Sequence, residues 1–156
     1  MNRIAKRPAT AEDAAFLFAL FREVRGPEFA AAGLAPAQLD MLLEMQFRAQ
    51  AAGYSAQYPD AEHSIILADG VPAGRIWVQR SPEEFLLVDI SMLGACRNRG
   101  IGSALLRELV VEARAAGVPL RSSVAVTNPA SLRFHQRLGF TIAAQDEVYY
   151  DLVAAP

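Results

Sequence analysis

The chain has 156 residues, a formal net charge of -2, and 53% hydrophobic against 21% charged residues. That length bounds it to a single domain, residues 1–156, large enough to bury a core, and the composition is that of a folded chain rather than a disordered one. The near-neutral charge carries no nucleic-acid footprint, no apolar run approaches the roughly 20 residues of a membrane span, and no apolar stretch follows the basic N-terminal residues as a secretory signal requires.

Taken in order, Arg3 to Arg7 reads as a short first strand stopped by Pro8. Thr10, followed by Glu12 and Asp13, reads as a helix start. The spacing of Ala14, Leu17, Phe18, Leu20 and Phe21 predicts that this helix runs to about Arg25, where Gly26-Pro27 breaks it. A second helix starts near Pro36, carries Leu39, Leu42, Leu43, Met45 and Phe47, and stops before a loop from Gly53 to Asp60. His63–Ala68 and Val71–Arg80 flank Asp69-Gly70, the clearest hairpin in the chain, with Pro72 tolerable at the start of its second strand. Ser81-Pro82-Glu83 turns the chain into a strand from about Glu84 to Leu93, on which Asp89 lies opposite Val88 and Ile90. Cys96, alone of its kind, excludes an internal disulfide and suits a reducing cytoplasm. With two scattered histidines it makes no metal site.

Leu105, Leu106, Leu109, Val110 and Ala113 then recur at helical spacing, with Arg107, Glu108, Glu112 and Arg114 between them. Gly117-Val118-Pro119 stops this helix, and Leu120 to Thr127 forms the next strand. Asn128 and Pro129 open a helix to Leu138, closed by Gly139. Phe140 to Ala143 and Val148 to Val153 read as final strands, the last of them half-exposed and able to pair with another chain. The order of elements is α+β with a mixed sheet.

Between the strand ending near Leu93 and the following helix lies Arg97-Asn98-Arg99-Gly100-Ile101-Gly102-Ser103-Ala104. A glycine-containing turn that opens directly into a helix leaves backbone N–H groups unpaired at the positive end of the helix dipole, which suits a phosphate or pyrophosphate. Gly100 and Gly102 admit an anion close to the backbone, and Arg97 and Arg99 can add charge. A dinucleotide fingerprint needs a third glycine where Leu105 stands, and a P-loop needs Lys followed by Ser or Thr where Ser103-Ala104 stands.

The stretch resembles the pyrophosphate loop of the GCN5-related N-acetyltransferase (GNAT) family, Gln/Arg-x-x-Gly-x-Gly/Ala, whose three defined places are filled by Arg97, Gly100 and Gly102. A second segment, from Asn128 through Leu138-Gly139-Phe140, is similar to the same family's later helix, in the family's order and at a family-like separation. The resemblance covers nearly the whole chain. It implies a mixed, mostly antiparallel central sheet flanked by helices and splayed at its central strands.

The resemblance also implies a chemistry. Acetyl-CoA, as co-substrate, would set its pyrophosphate on the amides of Asn98, Arg99, Gly100, Ile101, Gly102 and Ser103. Its pantetheine would run beside the backbone near Ile90 and Met92. The N–H near Met92, or near Ile90, would stabilise the developing oxyanion. Asn128 would touch the pantetheine, Phe134 would pack against cofactor or core, and Arg137 would reach a CoA phosphate. The amine attacks directly, with no acyl-enzyme and no role for Cys96. The family's usual tyrosine acid is replaced here by His135, which can donate a proton near neutral pH. Equally, His135 is a packed or surface helix residue and the acid is Tyr149, Tyr150 or water, and Asp89, or Glu84 near the strand start, can orient or deprotonate the amine.

Phe29, Met45, Gln46, Gln50, Tyr54 and Tyr58 either wall the acceptor site or belong to core and surface. The acceptor is a small-molecule or peptide amine, with no nucleic acid and no membrane as partner and a homodimer open. A different class, a CoA-binding sensor or interaction module without efficient turnover, is favoured only by the His135 departure. A nucleotide-dependent oxidoreductase is disfavoured by the missing third glycine and by elements that do not alternate strand and helix.

Overall fold

The computed structural model describes residues 3–156. Its seven strands, in chain order, are β1 (Ile4–Pro8), β2 (Glu62–Ala68), β3 (Val71–Arg80), β4 (Phe85–Met92), β5 (Leu120–Ala125), β6 (Thr141–Gln145) and β7 (Tyr149–Ala154). They hydrogen-bond in the order β1-β2-β3-β4-β5-β7-β6. β4 and β5 run parallel, whereas β1 with β2, β5 with β7 and β6 with β7 run antiparallel. The helices are α1 (Ala14–Ala30), α2 (Pro36–Gln57), α3 (Ile101–Ala115) and α4 (Pro129–Arg137). The expected α+β mixed sheet flanked by helices is what forms. The chain divides into two compact units: one runs up to Ile76 and adds Ile90–Arg97, and the other comprises Trp77–Asp89 and Asn98–Pro156.

In the first unit, Thr10 accepts the Glu12 N–H, and the Asp13 carboxylate returns to the Thr10 N–H at 2.9 Å. This box caps a single 3-10 turn that feeds α1. Gly26-Pro27 does not break the helix. Proline's fixed φ is helical, and its missing N–H removes only one bond near the C-terminal end. Arg25 bridges the spot, its guanidinium 5.6 Å from the ring centres of both Phe21 and Phe29. Likewise α2 runs through Gly53, because an interior glycine costs only about 1 kcal/mol; Tyr54 and Tyr58, 6.4 Å apart, continue its face. Phe47 of α2 packs on Phe18 and Phe21 of α1 at 5.3 and 5.6 Å, over buried Leu20 and Leu43. Asp69 and Gly70, with φ 51° and 81°, turn the β2–β3 hairpin as expected.

In the second unit, α3 buries Leu105, Leu106, Leu109, Val110 and Ala113, the stripe predicted from periodicity, and Ile101 of the glycine turn joins them at the first helical position. Leu120, Ser122 and Val124 alternate inward along β5. One expectation fails here. The final strand is not a free edge, because β7 is paired on both sides, by β5 and β6. Reaching that position lets Leu152 and Ala154 enter the core, and the exposed edge passes to β6. Pairing through Val148–Val153 with another chain is therefore closed.

Candidate functional site

In the first unit, the end of β4 is braced from three sides. The Leu93 N–H donates to Ala73 O at 2.8 Å. The Gly94 N–H donates to the Glu23 carboxylate of α1. Arg97 Nε donates to Met92 O at 3.1 Å. Arg97 thus spends one donor on holding the strand end, and only its remaining guanidinium nitrogens are left for an anion. β3 approaches β4 so closely at Gly74 that a Cβ there would lie 2.2 Å from Ser91 O and 2.7 Å from Met92 Sδ. Ile90 and Met92 are both half-buried at this strand end.

In the second unit, the turn after Arg97 uses two left-handed residues, Asn98 at φ 61° and Gly100 at φ 77°. Asparagine tolerates that region and glycine enters it without strain. The first helical bond of α3 runs from the Ala104 N–H to Gly100 O at 3.0 Å. Gly100 has no side chain with which to cap, and no acidic residue sits in the first turn. The N–H groups of Ile101, Gly102 and Ser103 therefore head a helix whose register is fixed by Ile101, 1% exposed. Asn98, Arg99 and Gly100 are exposed beside them. The backbone is open here, with nothing within 4 Å of where a Cβ on Gly100 would lie.

The parallel β4–β5 ladder covers only Phe85–Leu87 against Leu120–Ser122, although both strands continue beyond it. Asp89, half-buried, lies two positions beyond Leu87, the last β4 residue in register with β5. Asn128 caps α4, its Oδ1 accepting the Ser131 N–H at 3.1 Å, which leaves the two N–H donors of Nδ2 for other work. Phe134 is half-buried and Arg137 exposed at the helix end.

His135 is held by both of its ring nitrogens. It is 3% exposed, with Nδ1 2.8 Å from Ser131 O and Nε2 3.1 Å from Ser122 Oγ. A carbonyl only accepts, so Nδ1 carries the ring's proton and Nε2 accepts from the serine hydroxyl. Burial pushes the imidazole below its ordinary pKa, so it stays neutral with its one proton engaged. Ser122 escaped the sequence reading. Its signal was present, since a polar residue between Leu120 and Val124 on an inward face demands a partner.

Among the residues read as walling an acceptor, Gln50 accepts from Arg75 Nη2 at 2.7 Å, and Phe29 lies under Arg25. Met45 and Gln46 are exposed on α2, and the Tyr54 and Tyr58 rings meet at a tilt of 52°. Among the described residues, no cluster of His, Cys, Asp and Glu could hold a metal, and no helix is long and apolar enough to cross a membrane.

The model of the acetyltransferase (GNAT) family matches residues 27–140. No curated protein sequence matches the chain. Among solved structures, the PaiA N-acetyltransferase of Thermoplasma acidophilum, in complex with coenzyme A, is similar at a TM-score of 0.74 and 18% identity, covering 99% of each chain. An acetyltransferase of Thermus thermophilus is similar at 0.69 and 19% identity, over 98% of each. An Arabidopsis thaliana protein in complex with the bisubstrate analogue CoA-Ac-MVNAL is similar at 0.65 and 14% identity, over 98% of this chain and 99% of that one.

Proposed function

We infer, from the premise that this chain belongs to the acetyltransferase (GNAT) family, that it transfers the acetyl group of acetyl-CoA to a primary amine by direct attack. The observation that carries this reading is the turn from Arg97 to Ser103, which opens into a helix with no side-chain cap and no acidic first turn. A pyrophosphate is the ligand such an end favours. The relative from Thermoplasma acidophilum, solved with coenzyme A, supports the same assignment. The family model runs without interruption across residues of both compact units, which supports treating residues 1–156 as one functional domain.

Acetyl-CoA supplies the activated thioester. The amides of Asn98 to Ser103 would bind its pyrophosphate, with Arg99 and the outer nitrogens of Arg97 adding charge. Ile90 and Met92 would hold the pantetheine through their backbone, and the N–H of one of them would meet the carbonyl oxygen as negative charge develops there. Asn128 would donate to the pantetheine through Nδ2 while capping α4 through Oδ1. Phe134 would pack beside the cofactor, and Arg137, exposed, would reach a phosphate. Asp89 would orient the ammonium group or take its proton, directly or through water. His135, Tyr149, Tyr150 or water would serve the departing thiol; the engagement of both His135 ring nitrogens favours the latter three. Holding amine and thioester together would supply most of the acceleration.

The acceptor is a small-molecule or peptide amine; the Arabidopsis relative's bisubstrate analogue supports the peptide option. The free cysteine, Cys96, supports a cytoplasmic location. Thermal melting with acetyl-CoA, CoA and NADH, each added separately at millimolar concentration, tests the reading. A ligand that binds the native state raises the midpoint by mass action. Both CoA species should stabilise and NADH should not, after which an amine screen that detects released thiol follows. No shift with either CoA species would overturn the assignment.

A further inference from the structure

Helix α4 has nine residues, too few to be stable on its own propensity, and His135 is its one buried residue. A continuous line of hydrogen bonds passes through that residue. Ser122 Oγ on β5 meets His135 Nε2 at 3.1 Å, His135 Nδ1 meets Ser131 O at 2.8 Å, and the Ser131 N–H meets Asn128 Oδ1 at 3.1 Å. The imidazole is clamped edge-on by Phe134 and Phe140, with ring centres 5.5 and 5.1 Å away. It therefore has a single orientation, and that orientation is transmitted along α4 to its first residue. We propose that His135 and Ser122 are positioning residues for Asn128: they lock α4 onto β5 so that the Asn128 Nδ2 donors face the pantetheine of acetyl-CoA.

This assignment rests on the acetyl-CoA reading and gives His135 a task other than proton donation. Ser122 donates to Nε2, Nδ1 donates to Ser131, and the end of the line is a binding contact. Loss of either His135 or Ser122 should therefore weaken acetyl-CoA binding and leave the chemical step nearly intact. Because both act through one line, their effects should not add.

The test compares wild type with Ser122→Ala, His135→Phe, the double variant and Asn128→Ala. Each is assayed for acetyl-CoA affinity by titration calorimetry well below its melting temperature, and for kcat and KM with one amine acceptor. Losing one hydrogen bond of this kind corresponds to roughly 3- to 12-fold in affinity. Ser122→Ala, His135→Phe and Asn128→Ala should each raise Kd and the KM for acetyl-CoA by about that factor, with kcat changed less than about twofold. The double variant should be no weaker than His135→Phe. Ser122→Ala removes one oxygen, and it keeps the test open if His135→Phe does not fold.

A fall in kcat of about 100-fold or more in His135→Phe, with Kd unchanged and Ser122→Ala silent, would restore the proton-donor role and overturn the proposal. Lower melting temperatures with unchanged acetyl-CoA affinity would also overturn it, leaving the pair a stability element. If wild type itself fails to bind acetyl-CoA, the functional reading falls first and this assignment falls with it. If wild type binds and the variants bind equally well, only the positioning role falls.

Discussion

Gly74 and Gly100 are both required, for different physical reasons. A Cβ on Gly74 would be driven to 2.2 Å from Ser91 O and 3.1 Å from Met92 Cα, backbone atoms that cannot move without unzipping the strand pair. Gly74→Ala should lower stability by about 3 kcal/mol or more, as severe overpacking does, and a denaturant midpoint measures it. Gly100 has open space where a Cβ would go, so only its φ of 77° resists substitution. Gly100→Ala should cost about 1–2 kcal/mol from the left-handed backbone alone, while raising the KM for acetyl-CoA by crowding the anion cradle. A stability loss of similar size in both variants would contradict this division.

Elements carry the next level of constraint. Asn128 caps the nine-residue α4 through a single bond to the Ser131 N–H. Asn128→Ala should therefore destabilise by about 1 kcal/mol in addition to its effect on binding, which urea unfolding would register. At the sheet edges, β1 carries Lys6, Arg7 and Pro8, residues that discourage pairing with another chain, whereas β6 reads Thr-Ile-Ala-Ala-Gln with no charge. α1 illustrates how an element can outlast its breaking signal. Gly26-Pro27 marks a stop by local rules, yet Arg25 over Phe21 and Phe29 supports another turn, and the helix ends only at Ala30.

For the whole molecule, the groups held at depressed pKa values, Asp13, Asp146 and His135, set the response to acid. Asp13 accepts both Arg7 guanidinium nitrogens at 2.8 Å and the Thr10 N–H, which holds its carboxyl at about 2 against an ordinary 3.8. Its folded pKa is depressed, so its contribution is present above the ordinary value and is lost as pH falls from about 4 to about 2. His135 is also depressed, but because burial favours the neutral ring. The unfolded chain binds that proton first, so stability falls as pH drops below the ordinary 6.5. Both slopes have the same sign from opposite causes. Melting across pH 2–8 should show two separate declines; Asp13→Asn should flatten part of the lower, the rest coming from Asp146 held by the Tyr149 and Val148 N–H groups, and His135→Phe should flatten the upper. An unchanged upper decline in His135→Phe would show that another group is responsible.

Local patterns alone determined much of this protein. The Asp69-Gly70 hairpin, the apolar stripe of α3, the Gly100 turn and the Asn128 cap each depend on residues a few positions apart, so periodicity and turn chemistry made them legible. The two motifs, read by resemblance, carried the family. Only the tertiary structure decided the rest, because the deciding partners are far away in sequence. Ser122 meets the buried ring of His135, Glu23 meets Gly94 across 71 residues, and β6 slips outside β7 to take the sheet edge. A side chain's protonation and a strand's neighbours are set by what surrounds them in space, and burial and long-range pairing supply that environment only once the chain has folded.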